Sequence, residues 1–212
     1  MSVAHTVVKV CGLTTLADAR MALEAGADWL GFIVGAGGAR DIGADATATI
    51  ARALPGVVTV AVMARVTPAQ ALELAGRAGT TRVQIHGIDA AAWPADFPLP
   101  AALAAGIDAE GRLHGSIAPP PHLVHLDTAR GDATGGTGLT FPWPRARDLM
   151  GTRPFMLAGG LDGDNVARAI AELSPYGVDA SSRLESAPGT KDPERVRAFV
   201  NAVRTADARN VA

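Results

Sequence analysis

The stretch VVKVCGLTTLADARMALEAGADWLGFIV, Val7 to Val34, decides the fold class. Its opening run, Val7–Cys11, reads as a strand, with Lys9 and Cys11 on one face and Val8 and Val10 on the other. The period then changes. Leu16, Ala19 and Leu23 share a helical face, and Gly26 sits where a glycine commonly closes a helix. A β-branched and aromatic run, Trp29–Val34, follows at once. Strand, helix and strand in so short a span read as a parallel unit whose helix crosses over the sheet.

Outward from that unit the alternation continues. Val57–Met63, Arg82–His86, Leu123–Thr128, Phe155–Ala158 and Val178–Ser181 read as strands bounded by Gly, Pro or small polar residues, and Ala101–Ile107 as a weaker one. Thr67-Pro68-Ala69-Gln70 combines an N-cap, a proline at the first helical position and a capping-box glutamine. Asp192-Pro193-Glu194 repeats that logic before Val196, Phe199, Val200 and Val203, which fall on one helical face. Eight such β/α units would close into a barrel; six or seven would leave an open doubly wound sheet. Asp108–Pro121, ending in three consecutive prolines, reads as a loop where a barrel would place its fifth helix. No linker or composition break divides the chain, so residues 1–212 read as one domain.

Composition narrows the function. Of 212 residues, 48% are hydrophobic and 19% charged, which supports a sizeable core and argues against disorder. The net charge of −2 and the lack of a long basic run argue against nucleic acid as a partner. A single cysteine, Cys11, excludes an internal disulfide framework and a multi-cysteine zinc site. The first residues lack the charged-then-apolar pattern of a signal peptide, and no apolar run reaches membrane-spanning length, so a soluble cytoplasmic protein is expected. Lys9 and Lys191 are the only lysines, which restricts lysine chemistry to two positions.

In a parallel barrel the chemistry sits at the C-terminal ends of the strands. Cys11 ends the first strand beside Lys9. It reads either as a small buried hydrophobe or as a thiol whose pKa the neighbouring cation lowers. Asp127 ends the Leu123–Thr128 strand, as a structural acceptor of loop N–H groups or as a working carboxyl. His125, two residues deeper on the same face, reads as a hydrogen-bonded core histidine. Gly135–Gly138, Gly159-Gly160 and Ser181-Ser182 are turns of small residues that let backbone N–H groups approach an anion, and the last two follow the final two strands. Arg40 offers a planar fork suited to a carboxylate. Gln84 and His86 alternate along one strand, so both can face the barrel interior.

These residues, taken in order, resemble the phosphoribosylanthranilate isomerase family of tryptophan biosynthesis. The matching stretches are Lys9–Thr14, Gly31-Phe32, Val83–Gly87, Leu126-Asp127, Gly135–Gly138 with Phe141 and Trp143, Leu157–Leu161 with Asn165-Val166, and Gly177–Ser182 followed by Glu185, Pro188-Gly189 and Lys191–Pro193. The resemblance implies an α/β fold, a single (β/α)8 TIM barrel with a shortened or irregular segment around the fifth β/α unit. It implies a cofactor-free and metal-free Amadori rearrangement of a small phosphosugar, by a monomer or homodimer with neither nucleic acid nor membrane as a partner. By carry-over Cys11 is the general base, Asp127 the general acid, and Arg40 the holder of the anthranilate carboxylate. Gly159, Gly160, Ser181 and Ser182 bind phosphate, and Lys9, Gln84, His86, Gly136 and Asp179 surround the substrate.

Those roles require a thiol lowered toward neutrality and a carboxyl raised well above its ordinary range. Three positions depart from the family pattern: Gly38-Ala39 before Arg40, Met63-Ala64-Arg65 after the third strand, and Arg183 where a glycine normally follows the serine pair. Three other chemistries fit part of the pattern. The related isomerase of histidine biosynthesis would carry an aspartate at position 11, a Schiff-base aldolase would use Lys9, and a silent binder would hold a phosphosugar without turnover.

Overall fold

The computed structural model describes residues 5–128 and 142–210. Eight parallel strands form a closed ring: β1 (Val7–Val10), β2 (Trp29–Ile33), β3 (Val58–Ala64), β4 (Arg82–His86), β5 (Ala101–Ile107), β6 (Leu123–Thr128), β7 (Phe155–Leu157) and β8 (Gly177–Ala180). Neighbours in sequence are neighbours in the ring. β8 closes onto β1 through the pairs Val7–Gly177 to Val10–Ala180. Closure leaves no ladder edge unpaired, which is how a parallel sheet of this size avoids exposed strand edges.

Helices α1 (Leu16–Glu24), α2 (Gly43–Arg52), α3 (Pro68–Ala78), α4 (Trp143–Met150), α5 (Val166–Leu173) and α6 (Pro193–Asn210) follow β1, β2, β3, β6, β7 and β8. The starts of α3 and α6 follow the sequence signals. Thr67 and Gln70 form the reciprocal capping box of α3, and Asp192 Oδ1 accepts from the backbone N–H of Glu194 at 2.9 Å at the head of α6. Val196, Phe199, Val200 and Val203 of α6 are buried in the main core, which lies between the strands and the helical layer. Strand ends differ from the sequence expectation by one residue at most, because ladder bonds rather than side-chain type determine where a strand stops.

The fifth unit is irregular, as expected. In place of a helix after β5, Leu113–His114 folds back antiparallel on Gly106 and Ile107. The structure adds a second irregularity that periodicity did not reveal. Between β4 and β5 the only helical turn is the short one at Ala90–Ala92. Pro94, Pro98 and Pro100 deny a helix its N–H groups there, and Trp93 packs on Phe97 with ring centroids 5.3 Å apart to cover the barrel instead. Among the described residues no helix is long and apolar enough to cross a membrane.

Candidate active site

A cleft of about 250 Å³ opens at the C-terminal ends of the strands. Cys11, Arg40, Gln84, His86, Asp127, Gly159, Gly160, Asp179, Ser181 and Ser182 all line it, so ten residues singled out from the sequence converge on one cavity. Among the described residues Lys9 does not line it. Lys9 is buried, 1% exposed, in the barrel centre, and Gly136, with the rest of the Gly135–Gly138 turn and Phe141, lies outside the described residues.

Inward-pointing residues of adjacent strands build the floor. Lys9 and Asp179 are register partners on β1 and β8, and the Lys9 ammonium donates to Asp179 Oδ2 at 2.7 Å. His125 of β6 reaches the same oxygen through Nε2 at 2.9 Å. Asp179 Oδ1 is buried without a hydrogen-bond partner among the described residues, in a residue that lines the cleft, an acceptor available to a substrate hydroxyl. Although burial disfavours its charge, Lys9 and His125 outweigh that penalty and hold Asp179 down at about 2. Lys9 follows the same balance in the opposite sense: burial opposes its charge, yet Asp179 and Cys11 raise its pKa. A buried, ion-paired ammonium is a poor amine nucleophile, which argues against Schiff-base chemistry at Lys9.

Cys11 lies at the end of β1, 7% exposed and facing the cleft. Room for its sulfur comes from Gly31 of β2, where an added Cβ would sit 2.9 Å from Sγ and 3.0 Å from Lys9 Nζ. The electrostatics correct one expectation. Burial raises the thiol pKa, and the lowering by Lys9 does not overcome it. The cation was expected to lower the thiol; it does pull in that direction, but burial outweighs it and the Asp179 carboxylate adds to the rise. Near neutral pH the thiol therefore holds its proton.

Asp127 behaves as expected. It stands at the end of β6 and accepts from the backbone N–H of Thr128 at 2.7 Å, while burial raises its pKa above the ordinary carboxyl range. Between the two sits a neutral pair. The Gln84 amide donates to His86 Nε2 at 2.8 Å, which puts the ring proton on Nδ1, and burial with nearby His125 and Lys9 depresses His86 to about 3.

Arg40 carries a contact that its sequence position did not suggest. Its Nε and Nη2 hold both oxygens of Glu185, at 2.7–3.1 Å, and Glu185 in turn accepts from Lys191 Nζ at 2.7 Å. Sequence reasoning counted Glu185 and Lys191 among the residues that resemble the family but assigned neither a role in the site. A further signal was their placement as opposite charges flanking the Pro188-Gly189 turn. Arg183 also lines the cleft, beside the Gly159-Gly160 turn, with Nη1 3.8 Å from Asp162 Oδ2.

The comparisons agree with this geometry. Residues 8–202 match the family model described as N-(5′-phosphoribosyl)anthranilate (PRA) isomerase. A protein of that name from Rubrobacter xylanophilus is 38% identical over 206 residues, covering 93% of this chain and 98% of its own length. One from Geobacter sp. (strain M21) is 41% identical over 202 residues, covering 92% and 96%. Among solved structures, phosphoribosyl anthranilate isomerase from Thermus thermophilus superposes with a TM-score of 0.78 at 32% identity, covering 94% of this chain and 99% of that one. A phosphoribosyl anthranilate isomerase in complex with reduced 1-(o-carboxyphenylamino)-1-deoxyribulose 5-phosphate superposes with a TM-score of 0.76 at 27% identity, covering 94% and 99%. By its closed eight-stranded barrel and by a match that runs through nearly the whole sequence, the chain belongs to the N-(5′-phosphoribosyl)anthranilate isomerase family.

Proposed function

We infer that this chain catalyses the Amadori rearrangement of N-(5′-phosphoribosyl)anthranilate to 1-(2-carboxyphenylamino)-1-deoxyribulose 5-phosphate in tryptophan biosynthesis, with Asp127 as general acid and Cys11 as general base. One observation carries the assignment of roles. The only cysteine and a carboxyl of raised pKa line the same cleft, beside two turns suited to a phosphate.

Asp127, protonated near neutrality, gives its proton to the ribose ring oxygen as the bond from that oxygen to C1′ breaks. The anthranilate nitrogen supplies the electron pair that forms the C=N bond, and an iminium results. The iminium acidifies the proton on C2′, and Cys11 Sγ removes it to leave an enolamine. The positive charge of the iminium also favours a thiolate, which matters because burial otherwise keeps the thiol protonated. Gain of a proton at C1′ and loss of one from the C2′ hydroxyl complete the ketone. No cofactor enters this balance.

Backbone N–H groups of the Gly159-Gly160 and Ser181-Ser182 turns hold the phosphate, and the orphaned Asp179 Oδ1 accepts from a sugar hydroxyl. Arg40 faces the anthranilate carboxylate, and Gln84 and His86 give the sugar a neutral wall. Lys9 acts from beneath, through Asp179 and Cys11, without touching substrate. One barrel domain carries the reaction, as a monomer or homodimer whose partner is a small phosphosugar. The test is the fall in fluorescence as purified protein consumes phosphoribosylanthranilate, with the histidine-pathway phosphosugar assayed in parallel. Binding without turnover of the first substrate would leave the protein a silent receptor.

A further inference from the structure

Two charged residues behind Arg40, Glu185 and Lys191, take no part in the proton transfers, and both are more deeply buried than the arginine itself. The side chains of Lys191 and Glu185 are 0% and 4% exposed, against 26% for Arg40. They are register partners in a small hairpin after β8, formed by Glu185–Ala187 and Thr190–Lys191. The hairpin is pinned to the loop after β1, where Thr14 Oγ1 donates to Gly189 O at 2.6 Å. At Gly12, whose φ is +70°, an added Cβ would meet Ser181 Oγ at 2.7 Å and Arg40 Cδ at 2.9 Å, with Lys191 Nζ at 3.6 Å. Three loops thus converge where Arg40 enters the cleft.

The charge balance of this cluster decides what Arg40 can do. An arginine closed onto a carboxylate by two parallel hydrogen bonds is a neutral unit with little net attraction for a second carboxylate. Here Glu185 is shared: Oε1 also accepts from Lys191 at 2.7 Å, so two cations face one anion and a positive charge is left over. The Glu185 contacts occupy Nε and Nη2 of the guanidinium, leaving Nη1 without a hydrogen bond among the described residues. The same contacts stiffen a side chain whose own loop, Gly35–Ala39, is rich in glycine.

We propose that Glu185 and Lys191 are positioning residues for substrate recognition: Glu185 aims the Arg40 guanidinium, and Lys191 neutralises Glu185 so that Arg40 keeps its charge for the anthranilate carboxylate. The proposal rests on the reading of Arg40 given above.

The experiment compares KM and kcat for phosphoribosylanthranilate and for phosphoribosylaniline, which lacks the carboxylate, in wild type, Arg40→Ala, Lys191→Met and the double variant. Lys191→Met is expected to reduce the preference for the carboxylated substrate by about tenfold, mainly through KM, the scale of one charge-assisted hydrogen bond. In the Arg40→Ala background it is expected to add nothing to that loss. Preference unchanged by Lys191→Met, but lost in Arg40→Ala, overturns the proposal and leaves the reading of Arg40 standing. An equal rise in KM for both substrates also overturns it, because Lys191 would then act on the phosphate through Ser181, whose backbone oxygen it contacts at 3.2 Å. Preference unchanged in Arg40→Ala removes both ideas. Should Lys191→Met fail to fold, Glu185→Asp decides the matter. Its shorter carboxylate keeps the charge but withdraws from Arg40, and it is expected to show the same selective loss.

Discussion

Lys9 and Asp179 form a 2.7 Å ion pair across adjacent strands of the barrel, beneath the thiol that the mechanism needs as a base. Burial is the main reason that a cation two residues from Cys11 fails to lower it, and the Asp179 carboxylate adds repulsion of its own. Asp179→Asn is therefore expected to lower the Cys11 pKa, read as alkylation by iodoacetamide that begins at lower pH. It is also expected to cost about 3–5 kcal/mol in urea unfolding, since it strands a buried ammonium. An unchanged or higher alkylation midpoint would contradict this account of the thiol.

Cys11→Ala removes the proposed base without disturbing a ladder bond. Loss of a general base typically costs about 10²-fold or more in kcat, and that scale is expected here with the unfolding midpoint little changed. Turnover close to wild type would take Cys11 out of the mechanism.

The raised thiol and raised carboxyl make a specific claim about pH. The working form has a thiolate and a protonated Asp127, so wild-type kcat/KM is expected to rise through the carboxyl pKa, level off, and fall above the thiol pKa. In Asp127→Asn only the thiol titrates. The residual rate should then climb across the former plateau and show no descending limb. A profile that keeps the wild-type plateau would assign the acid to another group.

His86 gives a stability prediction. Its folded pKa is depressed from 6.5 to about 3, so below about pH 6.5 the unfolded chain binds a proton that the folded one refuses. The stability present above 6.5 is lost on descending toward 3, by up to about 1.4 kcal/mol per pH unit. Asp179, depressed from 3.8 to about 2, adds a separate loss at lower pH. His86→Gln is expected to flatten urea-unfolding stability between pH 6.5 and 4; an undiminished slope would mean that another group controls this window.

Much of the site was legible because catalytic side chains in a parallel barrel must end strands. Cys11 and Asp127 each terminate an apolar alternation, and the small-residue turns at 159–160 and 181–182 follow the last two strands. Lys9 was legible as a charged residue on the thiol's face, but its role was not. That depends on Asp179, 170 residues away in sequence. The occupation of Arg40 by Glu185 was equally hidden, since 145 residues separate them.

By itself the sequence determined the strands, the starts of α3 and α6 and the order that forces parallel pairing, because those follow from local periodicity and capping within a few residues. It also placed Asp127 and Cys11, the proposed acid and base, at strand ends. Only the tertiary structure decided the electrostatics: closing the ring brings β8 against β1 and folds the last hairpin over the mouth. Charge interactions depend on distance and burial, and both quantities exist only once residues remote in the chain have been packed together.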